Sequence, residues 1–516
     1  MSLRTRPNSH SVQETYNDEK AAVVDDRPIG GDVAKRTHVV ALQGLYEDGA
    51  IDAVYKKKAQ ILNQAIQEIG MGKYQYLLFI TAGFGWFARG RVLASPPSYL
   101  TLAANIGLLV GAAFWGFGCD VFGRRWAFNL TLLITGAFGL AAGGSDRFVT
   151  LASLLAVVGV GVGGNMPVDS ALFLDLVPGT HQYLLTVMTV FWSLGQLFAS
   201  MIAWPLIANF SCSTSSSTCT RASNMGWRYL LFTLGGTTLV LWAVRFFAFR
   251  MFESPRYLVG KGRDAEAVKV IHDIARYNGT EATLTVAELE GVRAKGDEEK
   301  GGAGGVIDGE TKAHEPVLTR TSVFRMEHMR GLFATPKIAL STSLLVVLWG
   351  LIGLASTLYN SFLPFILQNR GNVYGDGSLY TTYRNNAILA VIGIPAAFLA
   401  GYLVELPRVG RKGTLALFSC TSGQLLGWNC GYTFSSNIMY GVLYAISPEI
   451  FPAKDRGTGN ALVSTTTRVF GVVAPVIALF ADITTAVPVY VSGAIIIACG
   501  GIALLLPYEP RGKASI

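Results

Sequence analysis

The sequence predicts an all-α polytopic membrane protein built as two six-helix bundles, nominally twelve transmembrane helices. Three observations predict it. Of 516 residues, 51% are hydrophobic and only 15% charged, whereas soluble chains carry about 25% charged residues. The apolar residues are bunched into runs such as "NLTLLITGAFGLAAGG", "TSLLVVLWGLIGLAS" and "YVSGAIIIACGGIALLLP". Runs of that character suit a ~30 Å hydrocarbon layer, which a helix crosses in roughly 20 residues. Lastly, Lys and Arg cluster between alternate runs, at Arg124-Arg125, Lys261 to Arg263, Arg408 to Lys412, Lys454 to Arg456 and Arg511 to Lys513. This is the positive-inside pattern, and it places these loops and both termini in the cytoplasm, at the plasma membrane or an internal one. The 58 glycines agree, because small residues let membrane helices approach closely.

Taken in order, residues 1–45 read as a disordered cytoplasmic tail with no apolar signal-peptide region, so the first span must direct insertion. Residues 46–72 form an amphipathic cytoplasmic helix. It sets Ile51, Val54, Tyr55, Leu62, Ile66 and Ile69 close to helical spacing under the transmembrane body. Residues 73–250 hold the first bundle, with apolar segments near 74–94, 99–119, 127–144, 148–172, 182–207 and 227–250. A cytoplasmic linker follows at 251–337. It contains the surface helix "GRDAEAVKVIHDIARYNG" and the flexible "AKGDEEKGGAGGVIDGE". The second bundle, 338–507, has segments near 338–364, 384–404, 413–420, 423–447, 460–481 and 486–507, before a tail at 508–516.

Motifs repeat between the halves. "GFGCDVFGRRW" after the second segment carries Gly116, Asp120, Gly123, Arg124 and Arg125; "GYLVELPRVGRKG" after the eighth carries Gly401, Glu405, Gly410, Arg411 and Lys412. Each sets an acid at a helix end, then a glycine turn and paired cations. "LDLVPGTHQ" after the fourth segment corresponds to "SPEIFPAKDRGTG" after the tenth. Duplicated halves with a central site between them are a common transporter construction.

The motif from Gly116 to Arg125 resembles the loop signature of the major facilitator superfamily. "ESPRYL" at Glu253 to Leu258 and "PEIFPAKDRG" at Pro448 to Gly457 resemble its sugar-porter branch. "KKKAQILNQAIQEIGMGKYQ", "GVGGNMPVDSALFLDLVP" and "YLLTVMTVFWSLGQLFAS" resemble fungal relatives of synaptic vesicle glycoprotein two. The resemblance covers roughly residues 46 to 516. It implies alternating access about a midplane site, with loop salt bridges holding the outward-facing state. The carried-over gating set is Gly116, Asp120, Gly123, Arg124, Arg125, Glu253, Arg256, Glu405, Gly410, Arg411, Glu449 and Arg456. A hydrated charge network that breaks as the halves separate leaves two states close in energy. The plainer reading is that these cations only fix topology.

Ionisable residues inside spans are costly and are functional candidates by default. Asp169, with Asn165 one turn before it and Pro167 between, is the candidate for proton coupling, against a structural helix-packing role. Asp175 reads as an interfacial charge, Arg245 as a cation snorkelling from the sixth span, and Arg468 as lying near the start of the eleventh. Trp192, Gln196, Tyr359, Asn360, Trp428, Asn429 and Tyr432 offer aromatic faces and amides to a sugar or other polar organic solute. Each alone is more often a packing residue.

The net charge of +8 does not indicate nucleic acid, since the cations sit in loops between spans. Four of the six cysteines lie in or beside apolar spans, and Cys212 and Cys219 flank a polar loop where a disulfide fits an oxidising compartment. No metal-ligand spacing, nucleotide-binding glycine loop or nucleophile with base is present, so neither an enzyme nor a cofactor is expected. The reading is a monomeric secondary transporter of a small organic solute, a sugar or organic ion, as a proton symporter or as an uncoupled facilitator. A transport-defective sensor or scaffold is the alternative.

Two segments are short. In "GFGWFARGRVLASPPSY", Arg89 and Arg91 interrupt the first span, and Arg89 stands where the relatives place an aspartate. The ninth, "GTLALFSC", covers about 12 Å of a ~30 Å layer. Two independent shortfalls point to lost coding sequence, natural or from a truncated gene model.

Overall fold

The computed structural model describes residues 53–87, 98–212, 220–292, 331–374, 379–406, 410–419, 426–451, 456–480 and 487–507. Side chains are described within these except at 53, 98–99, 117, 120–122, 360–374, 379–383, 416, 419, 426–429, 475–476, 478–480 and 487–489. The described elements are all helical. A first helix, α1 (Ala53–Ile69), precedes α2 (Lys73–Phe87), α3 (Ser98–Phe122), α4 (Arg124–Gly143) and α5 (Phe148–Leu176). A short α6 (Leu184–Val187) leads into α7 (Thr189–Phe210) and α8 (Gly226–Ala243), which ends in a π turn, Val244–Ala248. Two helices follow, α9 (Pro255–Gly260) and α10 (Asp264–Asn278). The second half holds α11 (Pro336–Tyr374), α12 (Leu379–Val404), α13 (Gly410–Ser419), α14 (Leu426–Ile450), α15 (Arg456–Phe480) and α16 (Val487–Leu504).

Helices therefore stand at all twelve apolar segments. Among the described residues, six are long and apolar enough to cross a membrane, and Leu100–Gly116 and Tyr490–Leu504 are shorter apolar helices. The seventh helix runs further than expected, to Tyr374. Of the two short segments, α2 is described over 15 residues and α13 over 10, about 22 and 15 Å at 1.5 Å per residue, and the residues that follow each lie outside those described. Arg89 and Arg91 lie outside the described residues, as does the linker's flexible stretch.

Duplication shows in the packing. Within the first half α3 packs on α5, and α4 on both α5 and α8; within the second, α12 packs on α14, and α13 on both α14 and α16. Likewise α2 packs on α7 as α11 does on α15. The halves meet through α3 on α15 and α7 on α12, which are equivalent contacts exchanged between the halves. Small residues permit the tight crossings. A Cβ on Gly107, Gly111, Gly159 or Gly163 would collide with a carbonyl of the facing helix along the α3–α5 seam.

The amphipathic helix is described over Ala53–Ile69, within the expected 46–72, and its apolar face is docked. Tyr55, Ala59, Leu62, Ala65, Ile66 and Ile69 are buried, at close to helical spacing, and α1 packs on α9 and α10. Lys58 pairs with Asp264 at the start of α10. The surface helix of the linker, α10, ends at Gly279 with φ 78°, and Thr280 N donates to Ala275 O at 2.9 Å, a left-handed glycine cap. Cys212 is disulfide-bonded, while Cys219 lies outside the described residues. Cys119, Cys430 and Cys499 are free thiols.

Candidate functional site

The repeated motifs build the same unit in each half. Gly123 (φ 95°) and Gly410 (φ 57°) take left-handed conformations, which a side chain would resist. The turn swings the following arginine toward the acid that ends the next helix. In the first half, Arg124 pairs with Asp175. In the second, Arg411 Nε lies 2.5 Å and Nη2 2.6 Å from the Glu449 carboxylate, a two-pronged pairing. Glu405 is half-exposed, 3.9 Å from Arg411, at the outer limit of an ion pair.

Asp175 is the hub. It is 1% exposed and is approached by Arg124, by Arg256 at 3.5 Å and by Arg456 at 3.0 Å, and it accepts a hydrogen bond from Ser254 Oγ at 2.5 Å. The reading of Asp175 as an interfacial charge is thereby corrected. It sits at the end of α5 where three chain segments converge, so its charge is compensated by cations and not by water. Arg456 belongs to the second half, so this contact ties the halves together. The sequence motif grouped Glu449 with Arg456; the fold separates them, one serving its own half and one crossing.

Glu253 has a different role from the cations around it. Its carboxylate accepts the backbone N–H groups of Arg124 (3.1 Å), Arg125 (3.4 Å) and Ser254 (3.1 Å), capping the N-terminus of α4. Burial pushes its pKa up, and these hydrogen bonds oppose the rise. Burial lowers Arg256 to about 10, which still leaves it charged at neutral pH. Arg125 points its side chain outward, exposed. Gly116 lies against Ala461 of α15, where a Cβ would meet the Ala461 Cβ at 2.5 Å. The Asp120 side chain lies outside the described residues.

Above the hub lies an aromatic layer drawn from both halves. Trp86 of α2 meets Tyr444 of α14 edge-on at 5.0 Å, and Trp349 of α11 meets the same ring at 4.6 Å. Trp192 of α7 contacts Tyr440 at 5.6 Å, and Ser193 Oγ donates to Asn437 Oδ1 at 3.3 Å. Of the expected path residues, Trp192 is in this layer and Gln196 is half-buried one turn along α7. Tyr359 and Tyr432 stack at 3.8 Å between ring centres, further from the hub. Asn360, Trp428 and Asn429 have side chains outside the described residues.

Two positional expectations are corrected. Arg468 is not near the start of its helix: α15 begins at Arg456, so Arg468 lies about 18 Å along it, at mid-helix. It sits two turns beyond Ala461, on the face that meets α3, and is half-buried. Arg245 does not snorkel. It is fully buried and its Nη2 donates to Asp169 Oδ1 at 2.6 Å, with the Phe128 ring beneath the guanidinium. The π turn carrying it widens the helix end and rotates the side chain inward. Asn165, one turn from Asp169, is fully buried, and its amide has no hydrogen-bond partner among the described residues.

Sequence reasoning missed Asp175, Ser254, Arg245, Trp86, Trp349, Tyr440 and Tyr444. For Asp175 a signal existed in "LDLVPG", which mirrors the acid of "SPEIFP"; the aromatic residues carry none, because aromatics in spans are ordinary packing residues.

Known proteins share this architecture. The model of the family described as "Sugar (and other) transporter" matches residues 41–324. The MFS siderochrome iron transporter 1 of Ceriporiopsis subvermispora is 62% identical over 499 residues, spanning 92% of this chain and 94% of that protein. A major facilitator-type transporter of Emericella nidulans is 37% identical, over 92% of this chain and 91% of its own length. Among solved structures, the proton:xylose symporter XylE superposes with a TM-score of 0.61 at 16% identity, over 86% of this chain and 97% of that one, a likeness of fold. The 62%-identical match runs over 499 residues yet takes in 92% of this 516-residue chain, so part of the relative falls in gaps of this chain. The chain is a transporter and not an enzyme, and it belongs to the major facilitator superfamily, in its sugar (and other) transporter family.

Proposed function

We propose that this chain is a proton-coupled, alternating-access transporter of an organic ion, and that the basic end, with both termini, faces the cytoplasm. The single observation that carries the alternating-access reading is the buried Asp175–Arg456 pair between the halves. Together with the Gly116–Ala461 crossing and the aromatic layer above, it closes one end of the interface. Breaking these contacts requires only that the halves rotate, and the released charges then meet water. The gating set of Arg124, Glu253, Arg256, Arg411, Glu449 and Arg456 is thus read as a latch for one state.

An organic ion is favoured over a sugar because Arg468 stands at mid-helix on the interface face, one residue from Thr467, whose hydroxyl donates to the Trp349 carbonyl at 3.2 Å. A guanidinium with rings suits a carboxylate-bearing solute, and the relative at 62% identity is named for siderochrome iron. Proteoliposome uptake of a ferric siderochrome, an aromatic carboxylate and xylose, each with and without a protonophore, tests the reading. Uptake of one of the first two, abolished by the protonophore, is expected. If none moves or shifts thermal stability, the chain is a transport-defective sensor or scaffold.

A further inference from the structure

Asp169 and Arg245 are both 0% exposed at the side chain, although a buried ion pair is a poor way to stabilise a helix bundle. The pair is also incomplete. Among the described residues, Asp169 Oδ2 and the Nε and Nη1 of Arg245 have no hydrogen-bond partner, nor does either end of the Asn165 amide, one turn along the same face of α5. Gly85 of α2 passes directly against this face: a Cβ there would collide with Asp169 Oδ2 and lie 3.2 Å from the Asn165 Cβ. A carboxylate oxygen and an amide, nine-tenths buried or more and unsatisfied, are costly groups to keep. They are retained where they bind something small.

Arg245 has a second distinction. It lies in the π turn Val244–Ala248, and the chain leaving that turn leads directly to the hub. Phe249 stacks on Tyr74 at 5.4 Å, and Phe252 N donates to the Tyr74 hydroxyl at 3.2 Å. Glu253 then caps α4, and Ser254 and Arg256 engage Asp175. The partner of Asp169 and two partners of Asp175 therefore share one short, continuous segment.

We propose that Asp169 Oδ2 is a proton-binding site and that its occupancy is transmitted to the Asp175 latch through residues 244–256. The proposal rests on the coupled-transport reading above. A solvent proton adds to the Asp169 carboxylate, giving a neutral carboxyl, and the ion pair with Arg245 becomes a cation beside a neutral group. The whole positive charge then resides on a buried guanidinium, which is relieved when the π turn shifts Arg245 toward water. That shift draws on the segment holding Ser254 and Arg256 and loosens the latch. The titratable or charged groups carried by the elements packed around α5 are Arg245 from the π turn and, nearer the basic end, Tyr74 from α2, Cys119 from α3, Arg124 from α4, Arg256 from α9, Glu449 from α14, Arg456 from α15 and Asp175 from α5 itself, with Tyr444 of α14 and Arg468 of α15 further along; Asp175 is occupied by its own cations.

Two readouts on the purified full chain test this without a solute. Acid-minus-alkaline infrared difference spectra of the wild-type protein are expected to show a protonated-carboxyl band that is lost in Asp169→Asn and kept in Asp175→Asn. Gly85→Ala, which crowds Oδ2 without deleting the carboxyl, is expected to shift the midpoint of that band. The rate of alkylation of the native Cys119, buried in α3 one turn from the Gly116–Ala461 crossing, divided by the rate in Asp169→Asn at the same pH, is expected to rise several-fold toward one from alkaline to acid pH, because the asparagine is neutral throughout. That ratio cancels the thiol's own titration. A difference spectrum that is the same in Asp169→Asn as in wild type, or a Cys119 ratio that stays flat with pH, overturns the proposal. A chain that moves no solute but passes both tests fails only the transport reading.

Discussion

Arg456 is the cation through which the second half reaches Asp175, so Arg456→Gln isolates the cost of separating the halves. Asp175 keeps Arg124 and Arg256 in the variant, so no buried carboxylate is orphaned. What is lost between Asp175 and the second half is a charge-assisted hydrogen bond, the 3.0 Å contact to a fully buried guanidinium. Such a bond contributes about 1.5–3 kcal/mol. In the open state the two groups stand apart in water, and the substitution costs nothing there. The whole loss therefore falls on the closed state and shifts the closed-to-open ratio about 10- to 150-fold. The assay is alkylation of Cys119 in reconstituted protein whose other free thiols are replaced. Cys119 lies one turn from Gly116, against the inter-half crossing, and reacts only when the crossing opens. Labelling at least ten times faster in Arg456→Gln is expected. Labelling unchanged from wild type, in a variant that still runs as a monodisperse peak, would refute the idea that this pair holds the closed state.

Removing the hub itself is harsher. Asp175→Asn leaves three buried guanidinium groups facing a neutral amide, a loss of about 3–5 kcal/mol, read as a fall in detergent Tm well beyond that of Arg456→Gln. Glu253 has a folded pKa raised by burial, so the folded state holds its proton to higher pH than the unfolded chain does. Its contribution to stability therefore falls as pH rises from the unfolded carboxylate range, about 4.3, to the folded value. The wild-type Tm minus that of Glu253→Gln should decline over this window and then level off; a difference that grows with pH would show that the helix cap outweighs burial. Gly111→Ala forces a methyl into the Val160 carbonyl across the α3–α5 seam, an overpacking that costs about 1–3 kcal/mol. An unchanged Tm would mean the seam yields.

The architecture was legible in the sequence because its causes are local. Backbone groups in lipid must be satisfied within the segment, so apolar length alone marks helices, and basic loops mark one face. The glycine turns at Gly123 and Gly410 and their following arginines could be read too, because positive φ and the sign of a charge are carried by single residues. The two shortfalls could be counted in the sequence, and the residues that follow α2 and α13 lie outside those described. The partners of those charges were not legible. Asp175 draws Arg124, Arg256 and Arg456 from three separate stretches, one in the other half. Arg245 reaches Asp169 only because a π turn redirects it. An ion pair is decided by distance, and distance between remote segments is set by how helices cross. The sequence by itself determined which residues are charged and at which end of a span they lie; the tertiary structure alone decided which of them meet.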